Sequence, residues 1–236
     1  MQAWSLTFSN PVGYAEALSF QHRLLAARQQ NEIPDTILLL QHLPVVTVGN
    51  RGREEYLLKT RAEYEQMGIE LFQAERGGDV TFHGPGQWVL YPILYLGGQE
   101  ADAHGYLYNL EETAIRTLES FGVRGYRRAG KSGAWTQAGK IAAIGFRLKK
   151  WVSFHGMSFN VDNALHGFET IVPCGLVGEP VTTLERILQA ETPSMNEVGN
   201  QLLSAFEAVH GRRLSRYDIH DTLPEALEKL EPPQSG

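Results

Sequence analysis

Ala134-Trp135-Thr136-Gln137, Ile141-Ala142-Ala143-Ile144-Gly145-Phe146-Arg147-Leu148 and Val152-Ser153-Phe154-His155-Gly156-Met157-Ser158-Phe159 are β-prone runs separated only by Ala138-Gly139-Lys140 and Lys149-Lys150-Trp151. Connections that short reverse a strand; they cannot carry a crossover back to a parallel neighbour. The stretch predicts a meander of antiparallel strands with Lys140 at one strand's edge.

Working outward, Trp4–Phe8 alternates apolar and polar residues, and Thr36–Leu40, Val45–Val48, Ile69–Phe72, Val80–Phe82 and Trp88–Leu96 read as further strands punctuated by proline and glycine. Tyr14, Ala17, Leu18, Leu24 and Leu25 recur at helical spacing, as do Leu107, Leu110, Ala114, Leu118 and Phe121 before Gly122. Arg61–Met67 is a short polar helix. Ser194-Met195-Asn196-Glu197 is a capping-box sequence, opening a helix whose apolar face is Met195, Val198, Leu202, Ala205, Phe206 and Val209. The expectation is an α/β protein of α+β type: one domain over residues 1–222, with a mixed, largely antiparallel central sheet flanked by helices. Residues 223–236, ending Pro232-Pro233-Gln234-Ser235-Gly236, are expected to form a tail.

A chain of 236 residues with 42% hydrophobic content buries one large core. The formal net charge of −6 and pI near 5.8 argue against broad nucleic-acid binding, which rests on neutralising phosphates. Polar residues interrupt the N-terminus, and no apolar run reaches about 18 residues, so neither a leader nor a membrane span is expected. One cysteine excludes an internal disulfide and suits a reducing compartment; the protein is expected in the cytoplasm, as a monomer.

That cysteine, Cys174, stands in Ile171-Val172-Pro173-Cys174-Gly175, where proline and glycine can present a thiol on a tight turn. Read alone, a lone cysteine is more often an inert small hydrophobe than a nucleophile. The run Arg76-Gly77-Gly78-Asp79-Val80-Thr81-Phe82-His83-Gly84-Pro85-Gly86-Gln87 lets backbone approach a ligand, with Arg76 and His83 as polar groups; its plainer reading is two hairpin turns around a strand. It matches neither the phosphate-binding loop nor the dinucleotide fingerprint.

Taken in order, Arg76–Gln87, Lys140–Gly145, His155-Gly156 with Phe159-Asn160-Val161, and Pro173-Cys174-Gly175 followed by Val181-Thr182 resemble the lipoyl(octanoyl) transferases over about residues 4 to 215. The resemblance implies a fold like the catalytic domain of biotin and lipoate protein ligases. It implies transfer of octanoyl from acyl carrier protein to a lysine of lipoyl domains, in the E2 subunits of 2-oxoacid dehydrogenases or in the glycine-cleavage H protein. By the same resemblance Cys174 is the acyl-thioester nucleophile and Lys140 the lysine that lowers its pKa. Arg76, Gly77, Gly78, Asp79, Val80, Thr81, Phe82 and His83, then Ala143, Ile144 and Gly145, then Gly156, Met157 and Ser158, are its substrate-binding segments. Phe82 stands where many members have tyrosine, and Ser158 and Phe159 where small and aliphatic residues are usual. No cofactor or metal is implied.

The chemistry of these residue types agrees. A thiol of pKa about 8.5 is mostly protonated at neutral pH, and a neighbouring ammonium favours its thiolate. Exchanging one thioester for another is near energetic balance and needs no ATP; the amide formed next drives transfer. The acceptor amine, of reference pKa about 10.4, needs a base, for which Lys140, His83 and His155 compete. Main-chain N–H groups at Gly77, Gly78 or Gly145 are candidate oxyanion donors. Arg127, Arg128 and Lys131, or Arg147, Lys149 and Lys150, are either a carrier-docking patch or a solvated face. An ATP-dependent lipoate or biotin ligase is the alternative function, with a non-catalytic carrier-binding module and a cysteine hydrolase behind it.

Overall fold

The meander is present in the computed structural model, which describes residues 1–98, 101–173 and 178–220. Its strands in chain order are β1 (Gln2–Phe8), β2 (Asp35–Leu40), β3 (Val45–Val48), β4 (Glu70–Gln73), β5 (Val80–His83) and β6 (Gln87–Ile93), then β7 (Tyr126–Arg128), β8 (Lys131–Thr136), β9 (Gly139–Lys149), β10 (Val152–Asn160) and β11 (Arg213–Ile219). The helices are α1 (Tyr14–Gln29), α2 (Arg61–Gln66), α3 (Ala103–Glu119), α4 (Leu184–Leu188) and α5 (Met195–His210).

Eight strands form one sheet in the order β11-β1-β2-β6-β10-β9-β8-β7, and three form a second, β4-β3-β5. Only the neighbouring pairs β11–β1 and β1–β2 are parallel in the large sheet; from β2 to β7 every pair is antiparallel. The mixed, largely antiparallel sheet expected from the sequence is therefore observed. Because the central strands are covered on both sides, they read as continuous apolar runs. In β2, Ile37 and Leu39 enter the core under α3 and α5 with Leu110, Leu118, Leu202 and Phe206, while Leu38 and Leu40 enter the opposite core under α1 with Phe20, Leu24 and Leu25.

Helix α5 begins on the expected box: Glu197 N–H donates to Ser194 Oγ (3.3 Å), and Ser194 N–H donates back to Glu197 Oε2 (2.8 Å). Three elements were not anticipated. Strand β7 is three residues long, α4 is barely a turn and a half, and β11 is a half-exposed edge that pairs with β1 alone in the large sheet. The expected tail lies outside the described residues beyond residue 220. No helix among the described residues is long and apolar enough to cross a membrane.

Candidate active site

Strand β5 of the small sheet connects to β6 of the large one through Gly84, Pro85 and Gly86, so the small sheet is held beside the middle of the large one. Between them opens a pocket of about 690 Å³, its mouth included. Its floor follows from strand register. Ser158 pairs with Ala143 on one side and Val89 on the other, and Gly156 pairs with Gly145. Residues two apart share a face, so Ala143, Gly145, Gly156 and Ser158 lay a patch of small side chains across β9 and β10, and Val89 and Tyr91 continue it on β6. Small residues in register leave a hollow in a sheet whose other positions are filled.

Lys140 reaches this face through an irregularity. In the β8–β9 ladder Ala134 pairs with Ala142 and Trp135 with Lys140, which leaves Ile141 as an extra residue. Ile141 and Ala142 both enter the core beneath α3, and Lys140 and Ala143 both face the pocket. The Lys140 side chain is almost fully buried, with Nζ 5.6 Å from the centre of the Trp135 ring. Its main chain is bonded to the segment that follows Cys174: Lys140 N–H donates to Pro180 O (2.8 Å), and Thr182 N–H donates to Lys140 O (3.0 Å). Cys174 itself lies outside the described residues.

The loop from Arg76 to Asp79 closes the pocket's side. Its carbonyls at Arg76, Gly78 and Asp79 accept from the N–H groups of Asn50, Arg51 and Gly49. The buried Arg76 guanidinium donates to Thr47 Oγ1 (2.7 Å), Thr47 O (2.8 Å) and Gly77 O (3.0 Å). Gly77 N–H donates to Phe146 O (3.2 Å), which removes it from the oxyanion candidates. Gly145 permits this approach, because a Cβ there would stand 2.5 Å from Gly77 O, backbone against backbone. Gly145→Ala is accordingly expected to cost about 1–3 kcal/mol of stability. By pushing Arg76 off the pocket it should also lower turnover at this pocket at least about tenfold; melting curves and initial rates check this, and wild-type kinetics would mean the loop's position is dispensable.

Of the two histidines weighed as bases, only His83 lines the pocket; its Nδ1 is 2.7 Å from Gln87 Oε1. Burial, then the neighbouring His42 and Arg76, hold it well below the usual imidazole range. His155 is completely buried behind Tyr91, neither ring nitrogen has a hydrogen-bond partner among the described residues, and burial followed by Arg76 pushes it down to about 3.

Most of the residues expected from the sequence meet here. Arg76, Gly78, Asp79, Thr81, His83, Lys140, Ala143, Ile144, Gly145, Gly156, Met157 and Ser158 line the pocket. Gly77 backs onto β9 instead, and Val80 and Phe82 point the other way, into the core of the small sheet, where Phe82 meets Phe168 edge to face with ring centres 5.6 Å apart. Strand alternation explains the split, since Thr81 and His83 lie on the opposite face of β5 from Val80 and Phe82. Arg51, Tyr91, Gly130 and Ser132 also line it and were not anticipated, and Lys131, read from the sequence as part of a docking patch or a solvated face, lines it as well. The basic clusters are largely engaged within the chain: Arg127 with Glu111 and Glu112, Arg128 and Lys131 with Glu179, and Arg147 with Glu75. Among the described residues no cluster of histidine, cysteine and carboxylate side chains is placed to hold a metal ion.

Comparison with known proteins gives this geometry a family. A profile of the lipoyl protein ligase A/B catalytic domain matches residues 13–207. The chain is 40% identical to an octanoyltransferase of Caldicellulosiruptor saccharolyticus over 225 residues, which is 93% of this chain and 95% of that protein. It is 44% identical to an octanoyltransferase of Rubrobacter xylanophilus over 84% of this chain and 89% of that one. Among solved structures, lipoate-protein ligase A bound with ATP superposes with a TM-score of 0.71 at 13% identity, covering 97% of this chain and 94% of its own. A bipartite lipoate protein ligase from Thermoplasma acidophilum, solved as part of a lipoylation system with its E2 lipoyl domain, gives 0.70 at 14% identity, covering 97% and 92%. The two ligases share the fold, whereas the likeness in sequence is to octanoyltransferases. The chain belongs to the lipoyl protein ligase A/B catalytic domain family, and within it to the octanoyltransferases, which are acyltransferases.

Proposed function

We propose that this octanoyltransferase takes its acyl group from octanoyl-acyl carrier protein, holds it as a thioester on Cys174 and passes it to a lysine of a lipoyl domain. The observation that carries the reading is the pocket itself. A floor of small residues in register runs up to one buried lysine, and the main chain of that lysine is bonded to the segment just downstream of the chain's single cysteine. An acyl chain fits the apolar hollow between Val89, Ala143 and Gly156, and the Lys140 ammonium would supply the charge that stabilises a thiolate and the proton that a departing thiolate takes.

In the first half-reaction the Cys174 thiolate attacks the carrier thioester. A new carbon–sulfur bond forms, the old one breaks, and the carrier's thiol leaves with a proton from Lys140. In the second, with Lys140 reprotonated from solvent, the acceptor amine attacks the enzyme thioester: a carbon–nitrogen bond forms, the carbon–sulfur bond breaks, Cys174 leaves as the thiolate and the nitrogen gives up a proton to a base, and the amide product cannot easily return. Neither step consumes ATP.

Intact-protein mass spectrometry tests the proposal. Mixed with octanoyl-acyl carrier protein, the protein should gain one octanoyl group that Cys174→Ala cannot accept and that moves to an apo lipoyl domain added later. If no adduct forms, and transfer instead requires free octanoate with ATP, the chain works as a ligase and the proposal is wrong.

A further inference from the structure

Two polar side chains that line the pocket, His83 on β5 and Tyr91 on β6, have their protons fixed from behind. Asn160 Nδ2 donates to Thr182 O (3.0 Å), which turns Asn160 Oδ1 toward Gln87, where it accepts from Nε2 (2.8 Å). Gln87 Nε2 donates also to Phe82 O (3.2 Å), so the atom of Gln87 that faces His83 Nδ1 is its oxygen. An amide oxygen only accepts; His83 therefore carries its hydrogen on Nδ1 and keeps the lone pair on Nε2. A second chain acts on Tyr91. His42 Nδ1 donates to Val12 O (3.0 Å), so His42 Nε2 is the lone-pair nitrogen and receives the Tyr91 hydroxyl hydrogen (2.7 Å). With that hydrogen spent, Tyr91 Oη offers its surroundings lone pairs alone.

Both His83 and Tyr91 line the pocket. Burial first of all keeps the two imidazoles neutral, with His42 pushed down to about 4 and His83 well below its usual range. Two such acceptors, each locked by a relay that ends on a backbone carbonyl, suit a ligand with several hydrogens on one nitrogen that must surrender a proton. A primary amine is that ligand; a carboxylate or phosphate would meet lone pairs with lone pairs.

We propose that His83 and Tyr91 receive the acceptor lysine's amine, and that His83 Nε2 takes the proton this nitrogen loses as it attacks the octanoyl thioester. The inference rests on the acyl-enzyme reading above. In the step, the amine nitrogen bonds to the carbonyl carbon, the carbon–sulfur bond to Cys174 breaks and its electron pair stays on sulfur beside Lys140. The nitrogen's surplus proton moves to His83 and from there to water. Gln87, Asn160 and His42 are positioning residues that keep the two acceptors turned the right way. Lys140 is left to the thiol chemistry of the first half-reaction.

The two half-reactions separate the roles. His83→Gln should accept octanoyl from octanoyl-acyl carrier protein at close to the wild-type rate, which also shows that it is folded, and then pass it to an apo lipoyl domain about 10²- to 10³-fold more slowly. Hydroxylamine, small and far less basic than lysine, attacks thioesters without a positioned base and should discharge the variant and wild-type acyl-enzymes at similar rates. Tyr91→Phe should show the same split at about tenfold, and it decides the matter if His83→Gln does not fold. Equal losses in both half-reactions, or transfer within threefold of wild type, would overturn the proposal. A wild-type enzyme that forms no adduct removes the acyl-enzyme reading and this one with it, whereas an adduct that His83→Gln hands on at the ordinary rate removes this one alone.

Discussion

Lys140→Met should lower formation of the octanoyl-enzyme by about 10²- to 10⁴-fold at pH 7 while leaving the melting temperature within a few degrees. Methionine keeps a stem of similar length in a site that is almost fully buried beside Trp135, so packing is largely preserved while the ammonium and its polar contacts are lost. The size of the loss has two parts, and pH separates them. Without a nearby cation the thiol returns toward its ordinary pKa of about 8.5, so the thiolate falls to about 3% at pH 7. Raising the pH to 9 should then restore about 25-fold in the variant, since the thiolate fraction climbs to about three quarters. On the proposed mechanism the wild-type rate should change little over the same range, because a thiol beside the Lys140 ammonium would already be ionised at pH 7. Any deficit that persists at pH 9 measures the second part, protonation of the thiolate that leaves the proposed carrier donor, which methionine cannot perform at any pH. Stopped-time mass spectrometry of the adduct reads both. A pH 7 rate within threefold of wild type would remove Lys140 from the chemistry.

Lys140 also marks the limit of what the sequence discloses. The strands on either side of it, and the alternation that sends Ala143, Gly145, Gly156 and Ser158 to one face, follow from period-two patterning. Strict alternation, however, puts Lys140 on the face opposite Ala143. The extra residue at Ile141 reverses that, and nothing in Gly139-Lys140-Ile141-Ala142-Ala143 announces a bulge, because both Ile141 and Ala142 are at home in a core. The resemblance to a family supplied the pairing of Lys140 with Cys174 that patterning could not. Tyr91 was missed for a different reason. Its strand was legible, but its part in the site comes from His42, 49 residues away in sequence, and from a Val12 carbonyl, neither of which carries a local signal. Edge strands β7 and β11 failed on a third count: with one paired neighbour each in the sheet they need no apolar run, so Arg213-Leu214-Ser215-Arg216-Tyr217-Asp218-Ile219 looks like a loop. The capping box at Ser194 was readable because its physics is contained in four consecutive residues.

The largest loss of stability should come from Asp35→Ala, at about 3–5 kcal/mol, although Asp35 lies outside the pocket. Its carboxylate is completely buried at the start of β2 and accepts from Arg28 Nε on Oδ1 (2.8 Å), from Tyr95 N–H on Oδ1 (3.0 Å) and from Arg212 Nε on Oδ2 (2.8 Å). Arg28 belongs to the last turn of α1, and Arg212 stands between the end of α5 and the start of β11. One carboxylate therefore ties the helix on one face of the sheet to the connection that brings the final strand back beside β1. Truncation removes the counter-charge from Arg212, itself only 6% exposed, and strips an acceptor from a buried backbone N–H. For a domain of this size the loss corresponds to roughly 6–20 °C in melting temperature. Asp35→Asn should recover little, because an amide that keeps its oxygen toward Arg28 and Tyr95 turns an NH₂ group toward the Arg212 donor. Adding Arg212→Leu to Asp35→Ala should instead recover part of the loss, since a buried charge that has lost the Asp35 carboxylate goes with it. Hydrogen exchange should quicken first in β11 and β1, the strands that Arg212 anchors, and last in β6 and β10 at the centre of the sheet. A melting temperature within about 3 °C of wild type for Asp35→Ala would mean that the two arginines find other partners and that packing alone holds β11 in place.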